Sequence, residues 1–63
     1  MNKYRFDDAF GLVYEYDKIA NAYIMCASYE SIGIDHTMTD AEKTTRTDQY
    51  LCERALLIDQ ALN

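Results

Sequence analysis

The pattern of apolar and polar residues divides the chain into two long stretches joined by a short polar connector. The second stretch, from Thr39 onward, contains no glycine or proline that would end a helix. Thr39, Asp40 and Glu42 have the spacing of a capping box, in which the Thr39 and Glu42 side chains bind free N–H groups of the first turn. The pattern therefore predicts a helix over about residues 40–62.

This predicted helix changes character halfway along. Its first ten residues, "DAEKTTRTDQ", are polar on nearly all sides, whereas its second half is apolar over much more than one stripe. A helix with so wide an apolar arc must be covered on more than one side. The apolar residues are Tyr50, Leu51, Cys52, Ala55, Leu56, Leu57, Ile58, Ala61 and Leu62.

The first stretch fits two different periods. At helical spacing one stripe runs through Ala9, Leu12, Val13, Tyr16, Ile19, Ala20, Tyr23 and Ala27. At strand spacing "LVYEYD" alternates, and "AYIMCASY" could be its hairpin partner across residues 17–21, with a local composition that favours strands. Gly11 also counts against one continuous helix and would mark a bend or a late start. Residues 10–29 are thus either helix or β-hairpin.

The hexapeptide "ESIGID" favours the helix. A helix that ends at Gly33 in the left-handed conformation, with apolar Ile34 folded back on its last turn, is a common stop signal. The first stretch also lacks the Asn-Gly and Asp-Gly dipeptides of short hairpins, and two strands alone make little core. We therefore predict positive φ at Gly33 and Ile34 packed on the preceding turn.

The resulting fold prediction is an all-α antiparallel helical hairpin in a single domain, residues 1–63. Helix 1 covers about residues 7–32, a connector covers 33–39, and helix 2 covers about 40–62. The alternative is a small α+β fold, an N-terminal β-hairpin followed by a C-terminal helix. A chain of 63 residues buries too little surface to be very stable alone, so we expect a homodimer in which two hairpins form a four-helix bundle.

Charge and composition narrow the class of partner. The net charge of −5 and the pI near 4.5 argue against direct binding of nucleic acid or anionic lipid, both of which require Lys and Arg against phosphate. Neither a signal peptide nor an apolar run of membrane-spanning length is present, so we expect no membrane association and a cytoplasmic location. Cys26 and Cys52 are too few for a disulfide framework, and we expect two free thiols among apolar neighbours in the core.

The sequence contains few candidates for catalytic or metal-binding residues. His36 is the only histidine and stands in the polar connector between Asp35 and Asp40, where a solvated surface residue is the simplest interpretation. A role for His36 in a small enzyme or phospho-relay stays open as a lesser hypothesis, since no second histidine, serine elbow or glycine-rich phosphate loop accompanies it. We predict no catalytic, cofactor-binding or metal-binding residues.

The six tyrosines are more informative. A tyrosine joins an apolar ring to a polar tip, which suits a surface that is covered by a partner. Three tyrosines fall off the main apolar stripes, and two acidic residues adjoin them in sequence. The predicted partner-binding residues are Tyr14, Glu15, Asp17, Tyr29 and Tyr50.

Two functions follow from this pattern. The first is a small acidic non-enzymatic module that binds another protein and modulates or inhibits it. The second is an acidic mimic of nucleic acid that inhibits a DNA- or RNA-binding enzyme, although basic residues interleave the acidic ones in "EKTTR" and "CERALL". In size and charge alone the chain resembles the small acidic regulators and inhibitors of phages and other mobile elements.

Overall fold

The fold is a small α+β unit in which a three-stranded antiparallel sheet precedes a long helix. The computed structural model describes residues 2–62 and the side chains of residues 2–60, so both ends of the predicted domain and the Ala61 and Leu62 side chains lie outside the description. The strands follow one another in the sheet in chain order. The elements are β1 (Tyr4–Asp7), β2 (Leu12–Asp17), β3 (Ala22–Ser28), α1 (Tyr29–Ile32) and α2 (Asp40–Leu62).

The predicted all-α helical hairpin is wrong, because the region predicted as helix 1 is mostly sheet. The strands of the alternative prediction coincide with β2 and β3, but that alternative lacked β1. The third strand stabilises the sheet, because a lone two-stranded hairpin buries little apolar surface. The four-helix bundle, which needed two helical hairpins, loses its basis. Among residues 2–62 no helix is long and apolar enough to cross a membrane.

Two turns of the same type connect the three strands. After β1, one carboxylate oxygen of Asp7 accepts the N–H groups of residues 9 and 10 at 3.0 and 3.3 Å, and Gly11 follows with φ +63°. After β2, Asp17 accepts the N–H groups of residues 19 and 20 at 2.8 and 3.3 Å, and Asn21 follows with φ +54°. Glycine and asparagine tolerate this left-handed conformation best. Gly11 therefore ends a strand connection rather than bending a helix.

The sheet register separates an inner face from an outer face. β1 pairs with β2 so that Phe6 lies opposite Val13, and Val13 in turn lies opposite Ala27 on β3. The register of β2 and β3 shifts after Val13, because Cys26 is an extra residue in a bulge. The inner face and the short α1 segment build the core, which consists of Tyr4, Val13, Ala27, Tyr29, Ile32 and Ile34.

Gly33 ends α1 as predicted, although α1 has only four residues. Gly33 has φ +84°, and the N–H groups of Gly33 and Ile34 both donate to the Tyr29 carbonyl at 2.8 and 2.9 Å. Ile34 is buried in the core. At the other end the Ser28 hydroxyl accepts the N–H of Ser31 at 3.2 Å and caps the helix. The predicted stop signal is confirmed, whereas the predicted length of the helix before it is wrong.

Replacing Gly33 with alanine is expected to lower the free energy of unfolding by about 1 to 2 kcal/mol. The cost comes from the backbone, because a Cβ here would meet only the end of the Arg46 side chain at 3.7 Å. Gly33→Asn should retain more stability, since asparagine enters the left-handed region more readily. Urea denaturation of both variants tests this, and an alanine variant as stable as the wild type would contradict it.

The first half of α2 lies against the inner face. The predicted capping box is confirmed: the Glu42 N–H donates to the Thr39 hydroxyl oxygen at 3.2 Å, and the Thr39 N–H donates to a Glu42 carboxylate oxygen at 3.3 Å. Lys43 and Thr47 are buried, and the Thr47 hydroxyl donates to the Lys43 carbonyl at 2.8 Å. This contact leaves the outer face of the sheet on the opposite side from α2.

Candidate protein-binding site

A buried lysine fixes the start of α2 to the sheet. The Lys43 side chain is only 5% exposed, and its ammonium lies 3.0 Å from a carboxylate oxygen of Asp8. It also lies 5.7 Å from the centre of the Phe6 ring and 5.8 Å from that of Tyr29, where the ring faces attract a cation. The Tyr29 hydroxyl donates to the same Asp8 oxygen at 2.6 Å. We call Asp8, Tyr29 and Lys43 the first clamp.

A second clamp repeats this chemistry five residues further along α2, at Asp48. Asp48 accepts the Tyr4 hydroxyl at 2.5 Å and the Lys3 ammonium at 3.2 Å through one carboxylate oxygen. Each clamp thus joins one carboxylate, one tyrosine hydroxyl and one ammonium, and each connects α2 to β1 or the turn after it. Together the clamps fix which face of the sheet α2 covers.

The clamps shift the acid–base equilibria of their members. The hydrogen bond from Tyr29, followed by that from Lys43, lowers the pKa of the Asp8 carboxyl. The hydrogen bond from Tyr4, assisted by Lys3, lowers the pKa of Asp48 in the same way. Burial, reinforced by these hydrogen bonds to carboxylates, raises the pKa of Tyr4 and of Tyr29. The ionised carboxylates and neutral phenols are therefore the forms that the fold stabilises.

The protein should lose stability in acid because of these carboxylates. A carboxyl whose pKa is lower in the folded state adds stability above its unfolded pKa of about 4, and this stability disappears as the pH falls below that value. We expect a flat unfolding profile from neutral pH to about pH 5 and a decline below about pH 4. Thermal unfolding across this range measures the decline.

The double variant Asp8→Asn with Asp48→Asn should show a shallower decline than the wild type. Glu53→Gln is the control, since Glu53 is exposed on α2 and makes no such contact among residues 2–60. An unchanged acid slope in the double variant would show that other groups determine the pH dependence.

The outer face of the sheet carries a cluster of residue types that are typical of protein interfaces. Cross-strand pairing places Arg5 beside Tyr14, Tyr14 beside Met25, and Tyr16 beside Tyr23. None of these five side chains belongs to the buried core, and Met25 is 55% exposed. Arginine, tyrosine and methionine are enriched in the centres of protein interfaces. We call Arg5, Tyr14, Tyr16, Tyr23 and Met25 the open face.

The rings of the open face hold one another in place. Tyr16 and Tyr23 make an edge-to-face contact with ring centres 5.4 Å apart, and the Arg5 guanidinium lies 6.0 Å from the centre of the Tyr23 ring. The Tyr16 hydroxyl donates to the Asn21 side-chain oxygen at 2.5 Å, and the Tyr23 hydroxyl donates to the Asn2 carbonyl at 2.7 Å. A surface of rigid rings loses little conformational entropy when it is covered.

An open depression of about 480 Å³ adjoins this face. It is lined by Arg5, Phe6, Asp7, Asp8, Tyr14 and Tyr23. Asp8 is already paired with Lys43, so the Asp7 carboxylate and the tyrosine rings are the groups that an incoming cation would meet. The Arg5 guanidinium over Tyr23 shows that a cation already fits against one of these rings.

The five predicted partner-binding residues do not form one surface. Tyr14 lies on the open face, whereas Glu15 points to the inner face by strand alternation. Asp17 caps the turn after β2, Tyr29 belongs to the buried core, and Tyr50 packs partly against that core. Only Tyr14 lies on the open face. Tyr16, Tyr23 and Met25 were missed, although strand alternation in "LVYEYD" and "AYIMCAS" would have grouped them with Tyr14.

The remaining candidate residues lie apart from the open face. His36 is exposed in the segment before α2, with Nδ1 3.3 Å from Asp35. Both cysteines are free, as predicted, but only Cys26 adjoins the core, while Cys52 is exposed on α2. Within residues 2–60, no three or more side chains of the metal-ligating types are grouped to hold an ion.

Comparisons with known proteins add no family to this picture. A scan against protein-family models, a search of curated proteins and a search of solved structures each found no significant match.

Proposed function

We propose that this chain is a small acidic, non-enzymatic module that binds another protein through its open face and thereby modulates or inhibits that protein. The main support for this proposal is the open face. It consists of three tyrosines, one arginine and one methionine on the side of the sheet opposite α2. Tyrosine and arginine supply much of the binding energy in many protein interfaces, and methionine is enriched in them. A cytoplasmic location is part of the proposal, and the two free thiols support it.

The partner is a protein with a basic docking surface. The net charge of −5 attracts basic partners at long range. At short range, Asp7 lines the depression together with Tyr14, where a lysine or arginine of the partner would find a carboxylate and a ring face together. The tyrosine rings and Met25 then supply the apolar contact around that cation.

The distribution of acidic residues supports protein binding over mimicry of nucleic acid. A mimic needs carboxylates in a phosphate-like row, but several carboxylates here bind backbone N–H groups at separate turns and at a helix start. Asp7, Asp17, Asp35 and Glu42 do so at four different places along the chain.

Position-specific crosslinking in the cells that make the protein tests the proposal. A photoreactive phenylalanine analogue at position 14 or 16 should yield one discrete adduct with another protein. The same analogue at Gln49, exposed on α2, is the control and should not yield that adduct. The proposal fails if positions 14 and 16 give no adduct, or if position 49 gives the same one.

Charge dependence then tests the chemistry of the partner. Asp7→Asn should weaken binding of the purified partner several-fold, because it removes a charge from the depression but keeps an oxygen that can cap the turn. Asp17→Asn makes the same change at the other turn and should bind like the wild type. Affinity should also decrease with added salt. Salt-independent binding with equal affinity for both variants would refute a basic partner surface.

A further inference from the structure

The second half of α2 extends beyond the part of the helix that packs on the sheet. From Cys52 to Gln60 every side chain is exposed, and we call this segment the arm. Leu56, Leu57 and Ile58 are 56%, 66% and 54% exposed. Consecutive large aliphatic residues on an exposed helix are a feature of contact surfaces rather than of solvated ones.

One line along the arm has the spacing of a helix-pairing seam. Leu51, Ala55 and Ile58 follow one another at intervals of four and three residues, which places them on one side of the helix. Leu51 starts this line just before the arm and packs partly against the core, whereas Ala55 and Ile58 are exposed on the arm. Arg54 borders this line on one side, and Asp59 borders it on the other. The seam therefore has a positive flank and a negative flank.

The charges of the two flanks indicate which kind of helix pairs with this seam and in which direction that helix runs. When two copies of this helix lie side by side in the same direction, the positive flank of one faces the negative flank of the other. Arg54 of each copy then meets Asp59 of the other copy, and two-fold symmetry makes this contact twice. In the opposite direction, like charges would face each other. A second copy of this helix in parallel orientation is thus the partner that fits the seam.

We infer that the arm mediates parallel self-association, with Ala55 and Ile58 in the seam and two Arg54–Asp59 ion pairs at its flanks. This inference is independent of the proposed function, because the arm and the open face share no residue. Self-association would present two open faces on one particle and would strengthen binding to a partner with repeated sites.

Sedimentation equilibrium on the full chain tests the association. The wild type should exceed the monomer mass of 7.3 kDa reversibly as the protein concentration rises. Ile58→Gln should weaken the association about tenfold or more, because it removes an aliphatic side chain from the seam of both copies. Leu56→Gln is the matched control, equally exposed but on the opposite side of the helix, and should associate like the wild type. A wild type that stays monomeric, or equal effects of both variants, would overturn the inference.

A charge exchange tests the parallel direction. Arg54→Asp alone should weaken the association, because it places a second carboxylate against Asp59 of the other copy. Adding Asp59→Arg restores opposite charges only in the parallel arrangement and should recover the wild-type association. Failure of this second substitution to restore association would overturn the parallel arrangement. Circular dichroism confirms that each variant is folded.

Discussion

Lys43→Ala is expected to lower the free energy of unfolding by about 3 kcal/mol. The Lys43 side chain is almost fully buried, so its truncation leaves a void between α2 and the sheet. The substitution also removes the ion pair with Asp8 and the contacts of the ammonium with the Phe6 and Tyr29 rings. A domain of this length has a total stability of about 3 to 9 kcal/mol, so the loss is a large part of it. Urea denaturation followed by circular dichroism measures the effect.

Two further variants separate volume from charge. Lys43→Met keeps most of the aliphatic stem and should lose only about 1 kcal/mol, because Asp8 is half-exposed and can be solvated without its partner. Lys18→Ala truncates an exposed lysine and should change stability by less than about 0.5 kcal/mol. If Lys43→Ala is as stable as Lys18→Ala, Lys43 does not hold α2 on the sheet.

Tyr29→Ala should be even more damaging, with an expected loss of about 3 to 5 kcal/mol. The Tyr29 ring lies in the core, packs beside Gly11 and faces the Lys43 ammonium, and its hydroxyl binds Asp8. Its removal opens a void where the turn after β1, α1 and α2 meet. Thermal and urea unfolding should both show a destabilised or largely unfolded protein.

Tyr29→Phe isolates the hydroxyl group. It keeps the ring and removes only the hydrogen bond to Asp8, so we expect a loss of about 1 to 1.5 kcal/mol. Tyr16→Ala, on the open face, should cost clearly less than Tyr29→Ala, because the Tyr16 ring is only half-buried. Equal losses for the two alanine variants would contradict the division into a packed inner face and an open outer face.

The ends of the helices can be predicted from a few neighbouring residues in the sequence. The Thr39–Glu42 capping box, the α2 segment and the left-handed Gly33 all depend on a few neighbouring residues, and the structure confirms each of them. The prediction that the apolar second half of α2 is covered on more than one side stays a prediction, because the side chains of residues 52–60 are exposed in the single chain.

The sheet was mispredicted because its apolar residues fit helical and strand spacing equally well. The residues of the turns distinguish the sheet from a helix. Asp7 and, ten residues later, Asp17 each precede a four-residue connection of the same type, and these connections end at Gly11 and Asn21. These connections differ from two-residue Asn-Gly or Asp-Gly turns, and in sequence Gly11 is equally compatible with a bend in a helix. A repeat of ten residues is the spacing of strands in a meander.

The error in the fold carried over to the candidate site. On a helix, Tyr14 and Glu15 lie on the same broad side, whereas on a strand they point to opposite faces. Tyr29 falls off the predicted helical stripe, but in the sheet fold it follows β3 and packs into the core. The clamps could not be predicted at all, since Asp8 and Lys43 are 35 residues apart in sequence.

The most direct test of the central claim, that the open face binds another protein, is nuclear magnetic resonance on the ¹⁵N-labelled chain. Amide spectra are recorded with and without the purified protein that crosslinks to position 14. We predict that the shifted or broadened signals cluster at residues 5, 14, 16, 23 and 25, with the depression residues 7 and 8 beside them. Changes confined to α2, with those strand signals unmoved, would contradict the account.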